Sequence, residues 1–180
     1  FNDNGQGVRG DLSAVVKAVL LDVEARSAAG LTDPAFGKLR EPLLRFIQWA
    51  RSFKATSPST DWNIGNLGDA ATGLGQSPLR SPSVFNWFRP GYVPPNTAMA
   101  KAGQVAPEFQ IANETSVAGY LNAMQTAIAG GLRDLKPDYA AELALASDAS
   151  ALLARIELLM CAGQLQPATP RRLKRDYTVS

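Results

Sequence analysis

The chain contains no histidine among its 180 residues. That removes the Ser-His-Asp and Cys-His nucleophile arrangements, and any His-ligated zinc or iron site, from within this chain. It has one cysteine, Cys161, so an internal disulfide and a thiolate-only metal cluster are both excluded. Cys161 follows Leu158, Leu159 and Met160 on an apolar helical stretch, where it reads as a small hydrophobe rather than a reactive thiol. Long apolar runs are also missing. The longest, Ala14 to Leu21, is interrupted by Lys17 and falls far short of the roughly 20 residues needed to cross a bilayer. No transmembrane segment is expected. A strong charge bias is missing too: 19% of residues are charged, an ordinary share, and the net charge is only +2, which gives no global reason to expect nucleic acid as a partner. No segment alternates apolar and polar residues for long enough to read as a strand.

What is present is helical periodicity. Leu12, Val15, Val16, Val19, Leu20 and Val23 share one face of a helix predicted over about Asp11 to Ala29. Asp11 is placed as its N-cap and Gly30 as its left-handed end. Pro42 forces a new start in the second element, because it lacks an N–H and clashes with a preceding turn. Leu43, Phe46, Ile47, Ala50 and Phe53 then form a buried stripe, with Arg45, Gln48 and Arg51 nearer solvent. A third pattern begins near Asn113, with Val117, Tyr120, Leu121, Met124 and Ile128 on one face and Gly130-Gly131 as the stop. A short Ala-rich helix over Asp138 to Ala146 follows. The next is capped by Ser147 or Asp148, and Thr169-Pro170 opens a last one over Arg171 to Tyr177. The expected architecture is all-α: a single helical domain over 1–180, of about six helices, with a long irregular Pro/Gly/aromatic segment packed on it.

That irregular segment runs from Leu74 to Pro95, LGQSPLRSPSVFNWFRPGYVPP. Ser81-Pro82 suggests a single helical turn over Ser83 to Phe88, and Arg89-Pro90-Gly91 is a turn signal. Two roles fit the segment. Arg80, Trp87, Arg89 and Tyr92, with Asn113, can form a binding surface. Alternatively its aromatics close the core between helical layers, with the prolines fixing their path. An arginine beside prolines and aromatics can tie carbonyls or a carboxylate together, and Lys38, Arg40 and Glu41 offer a similar internal pairing.

Without histidine, acid–base work falls to carboxylates, Lys or Tyr. Glu108 and Glu114 are the candidate catalytic pair, with Asp61 and Asp69 further off and Trp62, Trp87 and Tyr92 able to stack on sugar rings. The competing role for Glu114 is to stabilise a helix N-terminus through the macrodipole. No metal and no cofactor are expected. Asn2, Asp3, Asn4 and Asp11 surround Gly5, Gly7 and Gly10 but lack calcium-loop spacing, and read as a turn leading into a helix cap. Gly73-x-Gly75 has no flanking strand and is not a dinucleotide fingerprint. Arg171, Arg172, Lys174 and Arg175 form a local basic cluster that reads as a solvated helix face.

Three segments, GKLREPLLR (37–45), LGQSPLRSPSVFNWFRPGYVPP (74–95) and VAPEFQIANETSVAGYLNAM (105–124), resemble the C-terminal part of a bacterial family catalogued as domain of unknown function number eighteen hundred. The opening FNDNGQGVRGDLSAVVKAVLLDVEAR and the helix LLARIELLMCAGQL share the resemblance. It implies a mostly helical protein and assigns no reaction and no catalytic residue. It also implies export, hence the periplasm or cell exterior, and a chain that is the C-terminal part of a longer protein. The start at Phe1 followed by Asn2-Asp3-Asn4-Gly5 fits that expectation. The expected role is binding or assembly at the cell envelope, with a carboxylate-dependent hydrolase of an envelope polymer and a purely structural domain as alternatives. Expected partners are the N-terminal section of the same protein and an envelope protein or glycan.

Overall fold

The computed structural model describes residues 1–33, 36–165 and Thr169. The expected last helix over 171–177, with the basic cluster Arg171, Arg172, Lys174 and Arg175, lies outside the described residues. Among the described residues the molecule is all-α: its only strand-like pairings are the isolated bridges Thr56–Lys136, Ser83–Asn86 and Leu132–Leu135. The chain forms two compact units, Phe1–Leu39 and Arg40–Ser180.

In the first unit, Asp3 and Asn4 fold the opening turn by accepting the backbone N–H groups of Gly5 and Gly7, and of Gln6 and Val8, respectively. Helix α1 spans Leu12–Leu21 and is capped by Asp11, which accepts from the Ala14 N–H at 3.1 Å. The helix predicted to run on to Ala29 is broken instead. Asp22 takes an extended conformation and caps a new short helix, α2 (Val23–Arg26), and Ser27 caps a 3-10 turn over Ala28–Leu31. Short polar side chains offer the backbone local partners and so compete with an uninterrupted helix. Gly30 lies inside that 3-10 turn and is not left-handed. No α1 residue is buried, and Leu12, Val16, Val19 and Leu20 are exposed. A unit this small cannot build a second layer over its own apolar stripe.

The second unit holds the core. Helix α3 spans Pro42–Ser52 and begins where Pro42 dictates, with the proline in its first turn. Its buried residues are Pro42, Phe46 and Trp49, and the buried Phe53 follows as its C-cap, whereas Ile47 is exposed. The stripe is therefore rotated from the expected one, because the larger Trp49 takes the inward position. Phe46 and Trp49 stack at 5.6 Å, and Phe53 meets Tyr139 edge-on at 5.1 Å. Helix α4 (Ala98–Lys101) and a 3-10 turn (Pro107–Ile111) follow a long irregular stretch. Helix α5 spans Glu114–Gly130 and opens with a capping box between Asn113 and Ser116. Gly131, at φ +91°, ends it. Its buried positions are Ser116, Gly119, Met124 and Ala127, while Val117, Leu121 and Ile128 are exposed. The small residues allow the loop before Leu74 to lie directly on the helix. A Cβ on Gly119 would sit 2.2 Å from the Ala70 carbonyl oxygen. Helix α6 is a single turn, Ala140–Leu143, shorter than predicted. Helix α7 spans Ala149–Cys161, with Asp148 accepting from the Ser150 and Ala151 N–H groups and left-handed Ala162 and Gly163 at its end.

The loop over 67–77 ties these helices together. Leu67 and Leu74 are in the core, and Leu74 N–H donates to the Leu67 carbonyl at 2.9 Å. Ser77 Oγ accepts the Leu67 N–H. Gln76 is fully buried; its Oε1 accepts the Leu43 N–H at 3.1 Å and its Nε2 donates to Glu41 Oε2 at 2.6 Å. Glu41 makes no cap bond to α3 itself, so Gln76 supplies from 33 positions downstream the acceptor that the helix start lacks. The solvent side of the loop is fastened by Asp69, which accepts from the Thr72 N–H, the Thr72 hydroxyl and the Ala71 N–H.

Replacing Gln76 with Leu orphans the Leu43 N–H and strips Glu41 of its donor. We expect a loss of about 2 kcal/mol in urea unfolding; an unchanged midpoint and slope would contradict this role. The hydrogen bonds from Thr72 and then Ala71 hold the Asp69 carboxyl below the ordinary value of 3.8. A depressed carboxyl contributes stability that is present above its unfolded value and lost as pH falls through its folded value. The melting temperature should therefore drop below about pH 4. Asp69→Asn should be less stable at pH 7 and show a shallower acid fall, and a fall of equal steepness would exclude Asp69 as a source.

Candidate functional site

The segment from Leu74 to Pro95 divides into two parts. Leu74, Gln76 and Ser77 are buried, whereas Pro78 to Asn86 are exposed. Ser81-Pro82 opens no helix; Ser83 Oγ instead accepts the Phe85 N–H and left-handed Asn86 closes a tight turn. Arg80 and Arg89 are exposed, and Trp87 and Tyr92 are half-buried. None of Phe85, Trp87, Phe88 and Tyr92 belongs to the core or packs against it, so the core-closing role considered for the aromatics falls to Leu74. The structure does join this segment to the region of Glu108. Arg89 N–H donates to Gln110 Oε1 at 2.7 Å, and Ala106 N–H donates to the Tyr92 carbonyl at 2.9 Å. Glu108 is half-buried in the 3-10 turn, and Glu114 is exposed as the first residue of α5. Asn113 is exposed, and its side chain accepts the Ser116 N–H. Asn113 and Glu114 thus stand where a helix start wants an acceptor and a negative charge.

A second polar cluster pins the loop after α3. Ser57 and Ser59 hydroxyls donate to Asp134 and hold its carboxyl below its ordinary value, Ser57 having the larger effect. Ser57 Oγ also accepts the Trp62 N–H, which fixes an exposed indole at the surface.

A further concavity lies elsewhere. An apolar cleft of about 650 Å³ opens between α3, α5, α6 and α7, within the roughly 300–1,000 Å³ usual for ligand pockets. Trp49 from α3 and Phe53 from its C-cap contribute, with Tyr120 and Met124 from α5 and Ile156 and Met160 from α7. Gln48 Nε2 donates to the Leu159 carbonyl at 2.8 Å and fastens α3 to α7. The polar groups in the wall are internally satisfied. Trp49 Nε1 donates to the Tyr139 hydroxyl at 3.1 Å, and that hydroxyl donates to the Ile128 carbonyl at 3.0 Å. The Glu142 carboxylate is buried and paired with Arg155 Nε at 2.5 Å. The Arg45 guanidinium lies 4.1 Å over the ring of Tyr120, one of the lining residues. Burial pushes the Tyr120 hydroxyl above its ordinary value, with Arg45 acting in the opposite direction. Among the described residues no cluster of acidic, Cys or His side chains could hold a metal ion.

Neither Glu108 nor Glu114 lines this cleft, and the candidate residues Arg80, Trp87, Arg89, Tyr92 and Asn113 stand outside it as well. The sequence patterns pointed to Tyr120 and Met124 only as core. Trp49, Tyr139, Glu142 and Arg155 were not singled out, because their roles depend on contacts across distant elements. One local signal was available: Trp49 lies three positions after Phe46, on the helical face that Phe53 continues.

Comparison with curated proteins and with solved structures finds no match. The family model described as "Protein of unknown function (DUF1800)" matches residues 1–179, and the chain belongs to that family.

Proposed function

We propose that the unit beginning at Arg40 is a binding module that takes an apolar chain of an envelope component into the cleft between α3, α5, α6 and α7. The observation behind this reading is the chemistry of the wall. It is almost wholly apolar, and its polar side chains have protein partners: Trp49 with Tyr139, Tyr139 with the Ile128 carbonyl, Glu142 with Arg155 and Tyr120 with Arg45. Such a surface gains by covering hydrocarbon, at about 25 cal/mol per Å² removed from water, and offers no free acid or base to a reacting bond. The export implied by the family resemblance favours a setting in the periplasm or at the cell exterior. Exposed Arg80 and Arg89 and half-buried Trp87 and Tyr92 are the residues proposed for a second, glycan-stacking contact of the same module. No observation favours the hydrolase over binding.

The test uses a neutral fluorescent naphthylamine probe. Leu121 and Leu143 line the cleft yet are 60% and 71% exposed, so replacing both with Gln should change folding stability by less than about 1 kcal/mol. Probe affinity should fall about tenfold, the equivalent of roughly 1.4 kcal/mol. Failure of the wild type to bind the probe, or unchanged affinity in the double variant, would overturn the reading.

A further inference from the structure

The stretch from Pro78 to Asn86 is exposed throughout and contains two tight turns. Arg80 N–H donates to the Ser77 carbonyl at 3.2 Å, so Pro78 and Leu79 form the corner of the first. Asn86 N–H donates to the Ser83 carbonyl at 3.1 Å, so Val84 and Phe85 form the corner of the second. Both corners carry apolar side chains. Leu79 is 104% exposed and Val84 94%, the highest values for large apolar side chains among the described residues, and Phe85 is 60% exposed. Leu79 also holds a φ of +58°, in a turn position that glycine or asparagine fills with less strain. Its side chain takes no part in the core, so the fold gains no burial from a leucine there. Exposed apolar residues grouped in this way mark a contact surface.

Charge selects what that surface meets. Between Asp69 and Glu108 the sequence has no acidic residue and three cations, Arg80, Arg89 and Lys101. Arg80 directly follows Leu79 and is exposed, and Arg89 is exposed beyond the second turn. Apolar corners beside arginines complement a surface that is hydrocarbon within and anionic without. A sugar ring gains from stacked aromatics and not from Leu79 or Val84. Pro78 and Pro82 already restrict the loop, so little freedom is lost when it docks. We infer that the 78–86 loop docks on a bilayer containing anionic phospholipid. Leu79, Val84 and Phe85 enter the interface, and Arg80 and Arg89 meet the lipid phosphates. This goes beyond the cleft reading and does not rest on it.

The experiment floats the full chain with vesicles of phosphatidylcholine alone, or of phosphatidylcholine with one-third phosphatidylglycerol. Wild type should partition onto the mixed vesicles at least about tenfold more strongly than onto the neutral ones, because each arginine near an anionic surface adds to the attraction. Leu79→Asn with Phe85→Ser changes exposed side chains only, so the melting temperature should barely move. Its partition onto the mixed vesicles should fall about tenfold, from the lost apolar contact. Leu79→Trp, which keeps an apolar side chain at the first corner, should bind at least as well as wild type. Arg80→Gln with Arg89→Gln, or sodium chloride raised to about 500 mM, should remove most of the preference for the mixed vesicles. Leu121→Gln with Leu143→Gln should float like wild type. Its loss of binding would assign the lipid to the cleft and overturn the loop proposal. Wild type that floats with neither vesicle, the result if the corners meet a protein instead, would overturn it too, as would unchanged partition of Leu79→Asn with Phe85→Ser. Neither of these last two results would touch the cleft reading, which the naphthylamine probe tests separately.

Discussion

The buried carboxamide of Gln76 sets the position of α3, and much of the second unit follows from it. A helix that starts with proline still has free N–H groups in its first turn, and here the residue before the proline offers no cap. Gln76 closes that gap from a distant loop and binds Glu41 at the same time. Leaving such buried groups unpaired costs about 1–3 kcal/mol each, so the loop and the helix are held in one register. The same loop inserts Leu74 into the core and rests on α5 at Gly119, where any side chain would collide with the Ala70 carbonyl. Two helices distant in sequence are thereby placed by one short stretch of chain.

That placement shapes the cleft. With α3 fixed at its start, Phe46 and Phe53 turn inward beside Trp49, and Trp49 and Phe53 reach the cleft wall. Trp49 Nε1 then finds the Tyr139 hydroxyl, which in turn bonds the end of α5. The Glu142–Arg155 pair joins α6 to α7 on the far side. The polar atoms of the wall serve the scaffold, and hydrocarbon is left facing the opening. The exposed Pro-aromatic loop is a separate feature, stitched by Arg89 and Tyr92 to the segment that leads into α5. The segment thus divides its work, with Leu74, Gln76 and Ser77 structural, Pro78 to Asn86 at the surface and Pro94 buried again near its end.

What the sequence made legible was what local chemistry decides. Pro42, Asn113 and Asp11 each mark a helix start through their own side chains or ring where expected, and of the two caps open for α7, Ser147 and Asp148, it is Asp148 that serves. Gly131 ends α5 for an equally local reason. What local chemistry does not decide was misread or invisible. The stripe of α3 is rotated because Trp49, not Ile47, is taken inward by Tyr139, 90 positions away. The stripe on α1 predicts burial, yet its residues are exposed, since periodicity shows which face is apolar and not what covers it. Asp22 interrupts an apolar pattern that alone implies an unbroken helix. Gln76 and the Glu142–Arg155 pair carry no signal in their neighbours, so neither the clamp nor the cleft could be read before the helices were placed.

The cleft reading makes a direct demand on the three methionines. Met124 and Met160 line the cleft, whereas Met99 lies on α4 outside it. With methyl-labelled methionine, titration of 1-decanol into the full chain should shift the Met124 and Met160 methyl resonances together, with one saturating affinity, and leave Met99 unmoved. Resonances of Met124 and Met160 that stay fixed throughout the 1-decanol titration, or a shift confined to Met99, would contradict it.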